Sequence, residues 1–324
     1  MAEHAGQQAL QQDMNFRRIS HFLHVAELGN LSRAAERLNI VQPALSQSIR
    51  LLEEDLGVVL FNRSRRGMEL TEAGRLFMES AYGILNQYNR ARENISAIGD
   101  NPKGLVSVAM TASALHVLTV PLCRSLKSTY PGIELNLVEG LAGSIHQGFE
   151  AGLYDLVISY MVQPGDRVHC EDLIEEELFL TSKYDPDLQC NDVTFKSLAK
   201  HRLIIPPDQH GVRGMVNDIA DAQNIEMSLE SITAALHPTL ALVEDGVGES
   251  LLPWAAIYDR VDDKKLSARR IIRPRITHKV SMIYPSHRPL TQATIAVMDT
   301  IRQAVRKVHE EGRWPGELLL AATG

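Results

Sequence analysis

Apolar residues recur at helical spacing near the start of the chain. Between Phe16 and Leu28 they occupy positions i, i+3, i+4 and i+7 of one helix face, and these residues are Ile19, Phe22, Leu23 and Ala26. The "LGN" that follows ends this helix. A shorter helix is predicted from about Leu31 to Leu38, with Asn30 or Ser32 as its N-cap.

A third helix is predicted after the tight turn "NIV", from Gln42 or Pro43 onward. Its apolar stripe repeats at spacings of four, three and four, and consists of Leu45, Ile49, Leu52 and Leu56. Two short helices joined by about three residues form a helix-turn-helix. The first third of the chain is therefore predicted to contain this motif.

The face of the third helix opposite its apolar stripe has an unusual composition. If Leu45 marks the buried centre, Ile49 and Leu52 stay within about 40° of it. Pro43, Gln47 and Arg50 then point the other way, flanked by Ala44 and Ser46, and no acid appears before Glu53. Gln and Arg make bidentate contacts to adenine and guanine edges, so this face suits a DNA major groove. A plain solvated face is the alternative, but it does not account for the turn or for the arginines that follow.

The segment "LFNRSRRGMELT", residues 60–71, is predicted to be a small hairpin whose tip carries Arg65, Arg66 and Gly67. Arg63 lies on its first strand, and we expect the three arginines to hold phosphate. Thr71 can cap a long helix over about residues 72–98.

That long helix carries one apolar seam. Its members alternate at threes and fours and are Ala73, Phe77, Ser80, Ile84, Tyr88, Ala91, Ile95 and Ile98. No small domain is expected to bury so long a seam, so a second copy of the helix is the predicted partner, with Phe77, Ile84, Tyr88 and Ile95 at the dimer contact. The alternative is an ordinary helix packed on its own domain.

Strands and helices alternate after the hinge "GDNPKG", residues 99–104. Strands are predicted at 105–110, 133–140, 154–160, 176–182, 202–207, 249–253 and 279–285, and helices at 113–129, 142–151, 212–223, 236–245 and 291–309. This alternation indicates an α/β region with mostly parallel pairing.

The composition and charge of the chain agree with several domains, one of which is basic. The chain has 324 residues and is 44% hydrophobic, which is ample for two or more packed domains. Its net charge is −7, yet residues 14–99 carry 11 Arg, no Lys and 9 acidic residues. The part that contains the helix-turn-helix is thus the only net basic part. All its basic residues are arginines, whose planar guanidinium binds phosphate and guanine in a bidentate way that lysine cannot match. Cys123, Cys170 and Cys190 are expected to be free thiols, a Cys170–Cys190 redox pair being the alternative.

Residues 1–13 are polar and are expected to be disordered. The start of the chain does not have the pattern of a signal peptide, and no apolar run approaches 18 residues. We therefore expect a cytoplasmic protein without contact to a membrane.

Residues 22–77 resemble the winged helix-turn-helix of the LysR-type transcriptional regulators. The matching landmarks are Ala34-Ala35, Leu38, Gln42-Pro43-Ala44, Ser46-Gln47, Leu52-Glu53, Leu56-Gly57, Leu60-Phe61, Arg63 and Leu70-Thr71-Glu72-Ala73-Gly74. "YPGIELNLVEG", "GLYDLVISY" and "VEDGVGESLLP" are similar to the effector domain of the same family, and nitrogen-assimilation-type members are the most similar. Val41 departs from the family, which usually has Ser or Thr at that cap, so Gln42 is expected to cap instead.

The resemblance implies a multidomain α+β chain, with an N-terminal all-α winged helix-turn-helix, a long linker helix and a C-terminal α/β effector domain of two Rossmann-like subdomains. The expected boundaries are a leader at 1–13, the DNA-binding domain at 14–71, the linker helix at 72–99, a hinge at 100–104, the effector domain at 105–309 and a tail at 310–324. Subdomain I would comprise 105–172 and 278–309, and subdomain II 173–277, with chain crossings near 170–178 and 275–280.

The resemblance also implies partners and site residues. Expected partners are double-stranded promoter DNA, a small-molecule effector that is a carboxylate, further copies in a dimer or tetramer, and RNA polymerase, with no cofactor and no metal. The predicted DNA-binding residues are Ser32, Arg33, Gln42, Pro43, Ala44, Ser46, Gln47, Arg50, Arg63, Arg65 and Arg66. The predicted effector-binding residues are Thr111, Ser113, Ala142, Tyr160, Pro206, Pro207 and His237.

Several alternatives stay open at this point. Thr111 and Ser113 could hold a carboxylate at a helix start or serve only as caps, and His237 could be an ordinary surface histidine. An enzyme is a rival, but GxSxG, HExxH, GxGxxG and P-loop motifs are absent from the sequence. A solute-binding protein is a second rival, which the helix-turn-helix opposes.

Overall fold

A computed structural model of the chain describes residues 16–64, 67–96, 102–160, 168–188, 191–208 and 211–320. The expectations for the leader, Cys190, Arg65 and Arg66, and for the side chains of Arg63 and Ile95, lie outside the described part. The chain divides into two compact units: an N-terminal one comprises the residues up to Arg92 together with Glu150–Leu153, and a C-terminal one comprises Glu93–Phe149 and the residues from Tyr154 onward.

The N-terminal unit contains the predicted helix-turn-helix and hairpin. Its elements are α1 (Phe16–Leu28), α2 (Leu31–Arg37), α3 (Gln42–Leu56), β1 (Phe61–Ser64), β2 (Gly67–Leu70) and α4 (Glu72–Ser96). Phe22 lies at the centre of the core, fully buried between Phe61 and Phe77. Leu45, Ile49 and Leu52 are fully buried as well, so the predicted stripe of α3 is confirmed.

The ends of α2 and α3 follow from local chemistry. Asn30 is the N-cap of α2, and its side chain accepts from the backbone N–H groups of Ser32 and Arg33. Gly57 ends α3 in the left-handed conformation, at φ +69°. The expectation that Gln42 caps α3 is wrong, because Val41 is the N-cap, without a side-chain hydrogen bond, and Gln42 is the first helical residue.

The hairpin formed by β1 and β2 is tied to the helices beside it. The carboxylate of Glu53 on α3 accepts from the backbone N–H groups of Leu60 and Phe61, at 2.8 and 3.2 Å. Met68 donates its backbone N–H to the carbonyl of Gly29 at 2.8 Å. These bonds fix the hairpin against α3 as a wing.

Helix α4 begins after Thr71, whose hydroxyl accepts from the N–H of Gly74 as predicted. Part of its seam packs on the same unit. Phe77 contacts Phe22 edge-on, and Tyr88 stacks on Phe16 with ring centroids 4.4 Å apart. The expectation that no small domain covers the seam is therefore wrong for this part of it. Ile84 is half-buried and Tyr88 keeps 40% of its surface exposed.

The C-terminal unit is built on a nine-stranded mixed sheet. Its strands are β3 (Gly104–Met110), β4 (Ile133–Glu139), β5 (Leu156–Tyr160), β6 (Val168–Lys183), β7 (Val193–Thr194), β10 (Ser250–Pro253), β11 (Leu266–Ile272), β12 (Thr277–Pro285) and β13 (Glu317–Leu318), while β8 (Leu203–Ile204) and β9 (Leu229–Glu230) pair separately. The main helices are α5 (Ala112–Thr129), α6 (Ala142–Glu150), α7 (Val212–Ala222), α8 (Leu236–Asp245), α9 (Tyr258–Asp262) and α10 (Gln292–Glu310).

The pairing in this sheet differs from the prediction of mostly parallel strands. Strand β3 pairs in parallel with β4 and β5, as the β-α alternation indicates. Strands β10, β11, β12 and β13 all run antiparallel to β6. The prediction is wrong because all four of these strands pair along the one long strand β6 in the antiparallel sense, although helices separate several of them in the sequence.

Strand β6 joins the two halves of the unit. It was predicted to begin at residue 176, but it begins at Val168, pairs first with β12 and then continues between β10 and β11. The return segment is β12 itself. Both predicted crossing points therefore fall on long strands, one within β6 and one at the start of β12.

Residues after 309, which the sequence assigns to a separate tail, contribute to the core of this unit. Trp314 is fully buried in the cluster that contains Leu173, Ile174 and Val308. Strand β13 then extends the sheet through Leu318, which pairs with Ile174. The expected boundary at 309 consequently cuts through a packed region.

Candidate functional site

The outer face of α3 has the arrangement predicted from its phase. Gln42, Pro43, Ala44, Gln47 and Arg50 are exposed, and Ser46 is half-buried. The first two turns of α3 carry no acid. This places a glutamine, an arginine and the open N-terminal end of a helix on one free surface.

Arg50 is paired in the structure with Glu54, one turn along α3, at 3.4 Å. Both side chains are exposed, and exposed pairs of this kind contribute about 0.3–0.5 kcal/mol. Such a pair is readily given up for a stronger partner, so Arg50 is available to a ligand of the outer face.

The inner side of α3 is fixed by a polar contact to α1. Ser48 Oγ lies 2.8 Å from Nδ1 of His21, which is buried. Burial lowers the pKa of His21, and the charges of Arg17 and His24 act in the same direction. His21 is therefore neutral near pH 7 and can share one hydrogen bond with Ser48.

The predicted residues at the start of α2 also lie on the surface. Ser32 and Arg33 are both exposed, and the cap by Asn30 orients the first turn that carries them. An exposed helix start with an arginine can approach a phosphate.

A cavity of about 310 Å³ opens in the C-terminal unit. Four of the seven predicted effector-binding residues line it, namely Thr111, Ser113, Tyr160 and Pro206. Most of its wall is apolar and comes from Ala112, Leu141, Val212, Ala234, Ala235, Leu236, Leu251, Leu252, Pro253 and Ala256.

The other three predicted residues do not line this cavity. Ala142 is buried in the first turn of α6, while Pro207 and His237 are exposed. On α8 it is the neighbouring Leu236 and Thr239 that face the cavity. The assignment of His237 fails because its position on α8 directs it to the surface.

Thr111 has the features of a ligand contact. It precedes α5, yet its side chain makes no capping hydrogen bond. It is 4% exposed, and its hydroxyl oxygen has no hydrogen-bond partner among the described residues. Because buried hydroxyls are nearly always paired, the role of a mere cap is disfavoured.

Sequence reasoning missed a polar cluster behind the cavity. His278 on β12 lines the cavity, and its Nε2 lies 2.9 Å from Oε1 of Glu176 on β6, an ion-pair distance without a hydrogen bond between the two atoms. Oε2 of Glu176 accepts from the indole N–H of Trp314 at 2.6 Å. The three residues are far apart in the sequence, so no local pattern indicates them.

Tyr160 completes the wall next to this cluster. Its ring lies 4.5 Å from that of His278, centroid to centroid. Burial raises the pKa of Tyr160, and the carboxylates of Asp208 and Glu176 raise it further. The phenol is therefore protonated at neutral pH and offers a neutral O–H group.

The described residues contain neither a cluster suited to a metal ion nor a helix suited to cross a membrane. Within them, no group of three or more His, Cys, Asp or Glu side chains could hold a metal ion. No helix in the same part of the chain is long and apolar enough to cross a membrane.

Comparisons with known proteins agree for both units. The family described as "Bacterial regulatory helix-turn-helix protein, lysR family" matches residues 16–75, and "LysR substrate binding domain" matches residues 99–306.

Two curated relatives cover most of the chain. The nitrogen assimilation regulatory protein nac of Klebsiella aerogenes is 27% identical over 301 residues, which are 93% of this chain and 98% of the relative. The HTH-type transcriptional regulator TcbR of Pseudomonas sp. strain P51 is 30% identical over 287 residues, 84% of this chain and 92% of the relative.

A solved structure shares the fold. CbnR, a LysR family transcriptional regulator, superposes with a TM-score of 0.70 at 24% identity, covering 90% of this chain and 99% of the other. Full-length CbnR in complex with its target DNA gives a TM-score of 0.66, again at 24% identity, covering 91% and 99%.

Proposed function

This chain belongs to the LysR family of transcriptional regulators, and from that premise we propose that it reads promoter DNA with α3 and responds to a small carboxylate in the cavity of its C-terminal unit. The family and the roles of its relatives make it a regulator rather than an enzyme, and a plain solute-binding protein would not need a helix-turn-helix. The observation that carries the DNA-reading role is the exposed outer face of α3, with Gln47 and Arg50 above a buried stripe.

Base reading and phosphate binding divide between different residues in this proposal. Gln47 and Arg50 have the donors and acceptors for base edges. Arg33, Arg63, Arg65 and Arg66, with the open N-terminus of α3, would hold the backbone on either side. The DNA complex solved for CbnR supports a duplex as the partner.

Self-association follows from the linker helix. Ile84 is half-buried and Tyr88 keeps part of its ring exposed, so the seam offers apolar surface beyond what its own unit covers. We propose that two copies of α4 pair along this seam, that pairs assemble to tetramers, and that the protein acts with RNA polymerase at promoters in the cytoplasm.

The DNA-binding role is tested by passing sheared genomic DNA from the source organism over the immobilised full-length protein and sequencing the fragments that it retains. We expect enrichment of a short common site. Fluorescence anisotropy then measures the affinity for that site at several salt concentrations. The logarithm of the association constant should fall linearly with the logarithm of the salt concentration, because phosphate contacts release counterions. A protein that retains no fragment above the level of an unrelated control would contradict the proposal.

Replacing both Thr111 and Ser113 by alanine is expected to weaken effector binding while leaving DNA binding intact. Each buried group of the ligand left unpaired costs about 1–3 kcal/mol. Calorimetry with the tightest-binding member of a carboxylic acid panel measures the loss. The control replaces Ser128 and Thr129 by alanine, because both are exposed and lie at the opposite end of α5. Equal affinity of the wild-type and Thr111/Ser113 proteins would mean that the two hydroxyls do not contact the ligand.

A further inference from the structure

His278 presents an unsatisfied polar group to the cavity. It is 7% exposed, and Nδ1 has no hydrogen-bond partner among the described residues. Buried polar atoms in native proteins nearly always have a partner. The partner in this case is expected to be a group of the bound molecule.

Glu176 and Trp314 determine which ring nitrogen of His278 is left for a ligand in the cavity. Glu176 is 1% exposed, and a buried carboxylate is tolerated only when it is paired. One of its oxygens is taken by the indole N–H of Trp314, and the other faces Nε2 of His278. An imidazolium in this position forms an ion pair with Oε1 of Glu176 through its Nε2 side and keeps Nδ1–H for an acceptor in the cavity.

Thr111 and His278 lie on opposite sides of the same strand end. Met110, the residue before Thr111, pairs with Ile158 of β5, and Tyr160 at the end of β5 contacts the ring of His278. Strands β3 and β12 flank β5, so their backbones are about 10 Å apart, two strand spacings. An acid group seated at the end of β5 lies between the two side chains.

The remaining charges of the cavity limit the ligand further. The described lining contains no Lys and no Arg, and Glu139 lies in it as an exposed carboxylate. A second acid group on the ligand would meet this carboxylate without a cation to compensate it. The body of the ligand meets leucine, alanine, valine and proline side chains.

We propose that the cavity takes a small monocarboxylate with an apolar body, whose acid group binds between the hydroxyl of Thr111 and Nδ1 of His278. Glu176 and Trp314 are positioning residues that hold His278 for this contact. The proposal rests on the proposed role of the cavity as the effector site, and it connects that site to the segment after residue 309.

Calorimetry of the full-length protein tests the ligand class. The probes are hexanoate, 4-methylpentanoate and cyclohexanecarboxylate, each with its primary amide, and adipate as the dicarboxylate matched to hexanoate. We expect at least one acid to bind, its amide to bind about tenfold more weakly or worse, and adipate to bind more weakly than hexanoate. Binding of none of the acids, amides that bind as tightly as their acids, or adipate that binds as tightly as hexanoate would overturn the proposal.

Two variants test the residues. His278→Gln should lose the preference for acid over amide, whereas His237→Gln, on the exposed side of α8, should keep it.

Nitrogen NMR of histidine-labelled protein should show both ring nitrogens of His278 protonated, and Glu176→Gln should remove one of these protons while a merely structural role would not. Retention of the acid preference in His278→Gln, or an unchanged His278 signal in Glu176→Gln, would contradict the assignment.

DNA binding measured on the same samples separates this proposal from the proposed function. If wild-type protein binds its selected DNA site but shows no preference for acids, only the ligand assignment fails. If it binds no DNA site, the regulator role at promoters fails, whatever the acids do.

Discussion

Replacing Trp314 by alanine is expected to destabilise the C-terminal unit by about 3–5 kcal/mol, the cost typical of a fully buried large aromatic residue. The side chain fills the core next to Leu173, Ile174 and Val308, and its N–H is a hydrogen-bond partner of the buried Glu176. The variant therefore loses packing and leaves a carboxylate oxygen unpaired. Urea unfolding followed by tryptophan fluorescence measures the effect, and the remaining Trp254 lies in the same unit.

Trp314→Phe is the matched control for this result. It keeps most of the apolar volume and removes only the donor to Glu176, so we expect a smaller loss of about 1–3 kcal/mol. If Trp314→Ala costs less than Trp314→Phe, or if both are neutral, the segment after residue 309 does not belong to the core.

The double variant Ile84→Glu/Tyr88→Glu is expected to dissociate the protein into smaller species. In an α4 pair, four like charges would face each other in an apolar contact, at a cost of several kcal/mol. The affinity for the selected DNA site should also fall when the assembly is lost, because a single copy then contacts only half of the site. Analytical ultracentrifugation measures the size of the species.

Gln87→Glu is the control for the linker helix, since it adds the same charge at an exposed position beside the seam. It should leave the assembly unchanged. Thermal unfolding of both proteins checks that the N-terminal unit still folds, because Ile84 also packs on its own core. A folded double variant with its full assembly size would show that the seam is not the main contact between copies.

The N-terminal unit could be predicted from the sequence nearly element by element. Its helices carry strict apolar periodicity, and their ends carry local signals such as Asn30 and Gly57. The orientation of Gln47 and Arg50 follows from the same period. What the sequence did not predict is the partial cover of α4 by α1, because the stacking of Tyr88 on Phe16 depends on how the two helices cross.

The C-terminal unit was predicted less completely, since its later strands pair far along the chain. Strand β11 was missed because "LSARRII" breaks the apolar pattern, while in the structure Arg269 is held by Glu249 at 2.9 Å. The extent of β6 was missed because its first half is polar. The cluster of Glu176, His278 and Trp314 has no local signature, as it exists only once β6, β12 and the last residues are assembled.

The most direct test of the regulator's DNA-reading surface is the affinity of Gln47→Ala for the selected DNA site and for a scrambled duplex of equal length. We expect a loss of about 1–3 kcal/mol on the selected site and a far smaller loss on the scrambled one, because a base contact is specific while phosphate contacts are not. Gln87→Ala, the same change on the linker helix, should alter neither. Equal losses on both duplexes, or no loss on either, would contradict the assignment of α3 as the helix that reads the bases.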